Sequence, residues 1–120
     1  MFQARELFHT GDWEQASLIY RNAFEISELL LSSDPSQFSV DRYLRTALEF
    51  AYCLRKDNAR INLESFIYHV KNHIKTTKHA MGIAMHMQPL QDVVNLPIHV
   101  ADFWMKSLLS LDSIDCRVLH

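Results

Sequence analysis

Apolar side chains recur along this chain at three- and four-residue steps between short polar breaks, and no stretch alternates with a period of two. That spacing puts them on one face of a helix, so the pattern predicts an all-α chain of five to six antiparallel helices. A short helix is expected from Phe2 to His9, closed by Thr10-Gly11. Asp12 then caps a second helix whose first turn holds Glu14 and Gln15, where side-chain oxygens meet unpaired N–H groups. Ala16, Ile19, Tyr20, Ala23, Ser27 and Leu30 form its stripe, and Leu29 to Leu31 extend it to Ser32.

Ser32-Ser33-Asp34-Pro35-Ser36 reads as a loop, since proline bars helix continuation. A third helix runs from a cap at Ser39 or Asp41 to Arg55, with Tyr43, Ala47, Phe50, Ala51 and Leu54 as its stripe. Asp57-Asn58 breaks the pattern. Leu63, Phe66, Ile67, Val70 and Ile74 mark a fourth helix that frays near Thr76-Thr77. Met81, Ile83, Ala84, Met85 and Met87 predict a fifth that stops before Pro89, leaving 88–92 as a turn or the start of another short helix. Asn95 and Pro97 signal the start of a last helix carrying Ala101, Trp104, Met105, Leu108 and Leu111, with a frayed tail from Asp115 to His120. These elements group as one domain: a hairpin over 2–32, a hairpin over 39–76 and C-terminal helices over 79–112.

The stretch from Gly11 to Phe24 carries more than periodicity. Gly11 suits a left-handed helix–helix corner, and Trp13, Ala16, Tyr20 and Ala23 alternate large and small side chains along the helix after it. This order resembles the turn and second helix of a tetratricopeptide repeat. The resemblance implies close helix approach at Ala16 and Ala23, aromatic wedges at Trp13 and Tyr20, and a scaffold that binds proteins through stacked helices. It covers about 25 residues. The second helix outruns the family pattern through Leu31, Pro35 comes late, and Asp57-Asn58 lacks the glycine of a second corner. A microtubule-interacting-and-trafficking type hairpin shares the small/aromatic rhythm, and an unrelated helical bundle also remains open.

Composition narrows the setting. At 120 residues and 48% hydrophobic, with two Gly and three Pro, the chain has enough apolar material for one core and little for long loops. Nothing approaches the roughly 20 apolar residues of a membrane span, and the first residues lack the pattern of a secretory leader, so an intracellular place, cytoplasm or nucleus, is expected. Cys53 and Cys116 lie far apart, and Cys53, inside an apolar run, reads as a buried thiol. The net charge is −2, but it is unevenly spread: residues 55–79 hold six basic and two acidic side chains between two acidic flanks.

That basic band contains the candidate chemistry. Lys71, Lys75 and Lys78 form a ridge able to meet phosphates or an acidic protein, although no aromatic interleaving accompanies it. His69 and His73 have the four-residue spacing of a metal pair, but their helix offers no Cys, Asp or Glu on the same face, so they read as solvated positions and no metal or cofactor is expected. Met85 and Met87 belong to a soft cluster suited to helix binding, against ordinary core filling. Phe103 points about 100° away from Trp104 and, if exposed, is an interface anchor. With no phosphate loop and no catalytic spacing, the expectation is a non-enzymatic protein-interaction module binding an acidic or helical partner. A nucleic-acid-binding domain using the 55–79 band and a self-associating structural subunit are the alternatives.

Overall fold

The computed structural model describes residues 11–76 and 83–118, with the side chains of 11–76 and 87–108. Five helices are arranged in order: α1 (Trp13–Ser33), α2 (Gln37–Asp57), α3 (Glu64–Lys75), α4 (Ile83–Asn95) and α5 (Ile98–Val118), with no strand among the described residues. The expected all-α class is therefore what the chain adopts. The expected helix over 2–9, and with it one arm of the 2–32 hairpin, lies outside the described residues, as do Lys78 and Met81.

Local signals explain most of the boundaries. Gly11 takes φ 76°, the left-handed conformation open to glycine. Asp12 caps α1, its carboxylate accepting from the Gln15 N–H at 3.2 Å. Ser36, rather than Ser39 or Asp41, caps α2. Ser39 is its reciprocal partner in a capping box: the Ser39 N–H donates to Ser36 Oγ at 3.0 Å and the Ser36 N–H to Ser39 Oγ at 2.8 Å. Pro97 precedes α5, and its carbonyl accepts from Val100 and Ala101. The last helix continues to Val118, through the stretch expected to fray.

Two further expectations need correction. Helix α4 runs straight through Pro89 instead of stopping before it. A helical proline costs about 3 kcal/mol, but continuing the helix buries Leu90 and Val93, each worth roughly 1.5–3 kcal/mol, while Pro89 itself stays exposed. On α1, the buried face is turned from the predicted stripe. Ala16, Ser17, Tyr20, Phe24, Ser27 and Leu31 lie inside, whereas Ile19 and Ala23 are half-buried and Leu30 is exposed. Phe24 decides this, because its ring packs on Tyr43, Phe50 and Phe66 at centroid distances of 5.2, 5.7 and 5.2 Å, far more apolar surface than Ala23 could bury.

The helices assemble around α2. Trp13 meets Tyr52, Tyr20 meets Glu49 and Glu28 meets Tyr43, so position falls along α2 as it rises along α1, and the two are antiparallel. Among the described residues this pairing is the most extensive; α2 meets α3 far more sparingly. On its other flank α2 is covered by α4 and α5. Residues 46–53 are consequently all buried, two full turns enclosed on every side, which a single apolar stripe does not anticipate.

Candidate functional site

Enclosing α2 forces its polar residues to find partners inside the protein. Glu49, 0% exposed, accepts the Tyr20 hydroxyl at 2.9 Å and pairs with Arg45 Nε at 3.3 Å. At the far end of α2, Asp102 of α5 accepts from the Tyr52 hydroxyl at 2.5 Å and from Lys56 Nζ at 3.2 Å. The same Lys56 ammonium lies 5.4 Å from the ring centre of Trp13. Burial, with the Asp102 hydrogen bond and charge added, raises the Tyr52 pKa. These groups clip α1, α2 and α5 together.

A second polar cluster lies where α1 meets α3. His69 and His73 share one face of α3, with ring centroids 4.6 Å apart. Glu28 of α1 sits between them: His69 Nε2 lies 2.8 Å from Oε2 and His73 Nε2 lies 3.2 Å from Oε1. The hydroxyl of buried Tyr43 donates to Oε2 at 3.0 Å. Desolvation, then the charge and hydrogen bond of Glu28, pushes the Tyr43 pKa up and keeps that hydroxyl a donor. Aromatic rings wall the cluster: Phe24 lies 6.2 Å from His69, and Tyr43 lies 6.1 Å from His73. The sequence reads the two histidines as solvated positions without a carboxylate. Their own helix indeed supplies none, and the missing one comes from a different helix. Glu28, His69 and His73 offer one ligand atom each, all within 4.8 Å of one another.

The predicted basic ridge is less available than the sequence suggests. Lys75 is exposed and Lys71 half-buried, while Arg55 turns inward to donate to the Val93 carbonyl at 2.9 Å. With Lys56 held by Asp102, two of the band's six basic side chains fasten α4 and α5 to α2. Met87 is corrected as a surface candidate: it is buried beside Leu90 and Val93 in the core. The side chain of Met85 lies outside the described residues. Phe103 is 75% exposed, on the side of α5 turned away from buried Ala101 and Met105.

One exposed apolar surface does not stand out in the sequence. Leu18, Ile26, Leu29 and Leu30 are all exposed on the outer side of α1, Leu29 at 70%, and Phe38 at the start of α2 is 72% exposed. Leu30 and Phe38 share a hollow with Arg42. The available signal is the triple Leu29-Leu30-Leu31, since one helical face can bury only part of three consecutive leucines. A separate cleft of about 220 Å³ between α2, α4 and α5 is lined by Leu44, Leu48, Pro89, Leu90, Trp104 and Leu108, with Arg45.

Cys53 is buried, and its thiol pKa is pushed up by desolvation and by the charges of Glu49 and Asp57, the reverse of what a nucleophile needs. No described helix is long and apolar enough to cross a membrane. No protein-family model matches the chain, and neither a curated protein nor a solved structure is significantly similar to it.

Proposed function

We propose that this chain is a non-enzymatic helical interaction domain that binds a protein through the outer face of α1. The observation that carries the reading is that face itself: four large aliphatic side chains stand exposed on one 21-residue helix, continued by Phe38. Isolated exposed leucines are ordinary, but a run of them along one helix is the usual mark of a docking surface. The other side of α1 supports the tetratricopeptide-like reading, because fully buried Ala16 and Tyr20 alternate small and large packing against α2. The partner that fits is an amphipathic helix, laid along α1 with its apolar side inward.

The test is site-specific photocrosslinking in cells that express the full chain. A crosslinker at Leu29 gives a discrete protein adduct that is lost when Ile26→Glu is added, and a crosslinker at exposed Lys106 on α5 gives none. An adduct at twice the chain's own mass assigns the face to a second copy instead. Equal labelling at both positions, or none at Leu29, overturns the reading.

A further inference from the structure

We propose that Glu28, His69 and His73 bind a divalent zinc ion that staples α1 to α3. Both imidazoles direct Nε2 at one carboxylate, each to a different oxygen, at 2.8 and 3.2 Å. Two imidazoles from one helix and a carboxylate from another thus bring one ligand atom each to within 4.8 Å of the other two, a grouping that a single cation can bridge. Around zinc, with Zn–N and Zn–O near 2.0–2.1 Å, neighbouring ligand atoms stand about 3.3 Å apart. The two His–Glu contacts, 2.8 and 3.2 Å, lie near that separation, and all three ligand atoms fall within 4.8 Å of one another, so side-chain rotation brings them around one ion.

Ligand type selects the metal. Two imidazole nitrogens and one carboxylate suit zinc and its late first-row neighbours, whereas magnesium and calcium take oxygen ligands. Outer-shell support is already in place, because the buried Tyr43 hydroxyl donates to Glu28 Oε2 and fixes the carboxylate's orientation. Three protein ligands leave the fourth position to water, on the side where His69 is 49% and His73 32% exposed. The ion would bridge residues 41 and 45 positions apart along the chain, joining two helices that already meet through the contacts of Phe24 with Phe66 and His69.

The experiment titrates zinc chloride into the metal-stripped full chain, following heat of binding and melting temperature. Cobalt(II) replaces zinc in a parallel arm, where visible absorption reports tetrahedral coordination. Expected are one equivalent bound at micromolar concentration or tighter, an upward melting shift, and a tetrahedral cobalt spectrum. The double variant His69→Ala plus His73→Ala abolishes all three, Glu28→Gln weakens binding, and Tyr43→Phe weakens it on the order of 10–100-fold. His99→Ala, an exposed histidine elsewhere, leaves them unchanged. Absence of saturable binding by the parent overturns the proposal. So does one-equivalent binding that survives in the double histidine variant, or an octahedral cobalt spectrum. Circular dichroism of each metal-free variant shows that its fold persists, so loss of binding is not loss of structure.

Discussion

Replacing Glu49 by alanine tests whether the enclosed α2 helix depends on its one fully buried carboxylate. The side chain is 0% exposed, accepts the Tyr20 hydroxyl at 2.9 Å and faces Arg45 at 3.3 Å. A hydrogen bond to a charged group contributes about 1.5–3 kcal/mol net. Arg45 keeps 28% of its side-chain surface in water, so its half of the ion pair adds only a few tenths of a kcal/mol. Deleting the methylene groups from a packed interior removes roughly 1–2 kcal/mol more. The sum is about 3–5 kcal/mol, the range measured for breaking buried pairs, set against a total stability of about 5–15 kcal/mol. Glu49→Gln keeps the volume and an acceptor for Tyr20 but loses the charge, so about 1–2 kcal/mol is expected.

Urea denaturation followed by far-ultraviolet circular dichroism reads these differences, provided the denaturant slope stays constant across variants. Combining Tyr20→Phe with Glu49→Ala, which removes the acceptor, closes a double-mutant cycle, and groups in direct contact should show a coupling of at least about 0.5 kcal/mol. If Glu49→Ala lies within about 1 kcal/mol of the parent, or the cycle is additive, the buried network does not hold α1 to α2, and the reasoning fails.

The same interior sets three further outcomes. The hydroxyl of Ser17 is buried without a hydrogen-bond partner, so Ser17→Ala should stabilise by roughly 0.5–1.5 kcal/mol, seen as a higher melting temperature. Ala16 is fully buried where α1 packs on α2, so Ala16→Leu should overpack the pair by about 1–3 kcal/mol, whereas the half-buried Ala23→Leu should cost less; equal effects would contradict the observed rotation of the helix. Alkaline pH should unfold the protein. Folding raises the pKa of Cys53 above its ordinary 9.0 and those of Tyr43 and Tyr52 above 10.0, so the unfolded chain releases protons that the folded one retains. Their stabilisation is complete below about pH 9 and is lost as pH rises, by up to about 1.4 kcal/mol per pH unit for each group. Urea midpoints at rising pH should show this, with a shallower fall in Tyr52→Phe.

What the chain discloses from its sequence is local, and the reason is physical. Periodicity, a capping Asp12 and a left-handed Gly11 are properties of neighbouring residues, so α1, α2 and α3 are legible with their loops nearly in place. Which of two adjacent residues faces inward is not legible. Ala23 and Phe24 differ by about 100° around the helix, and only the rings waiting on α2 and α3 decide between them. Pro89 shows the same limit, since its local cost is fixed while the compensating burial of Leu90 and Val93 depends on a helix distant in the chain. The Glu28 cluster is the sharpest instance. Judged along α3 alone, His69 and His73 lack a carboxylate and look inert. Folding supplies one from α1 because Phe24, one turn earlier, docks on Phe66, one turn before His69. The same ring that turns α1 away from its predicted stripe therefore also carries Glu28 into place, so the packing error and the missed site have a single origin. A smaller residue at 24 should disturb both together, the core through lost ring contacts and the cluster through a displaced carboxylate.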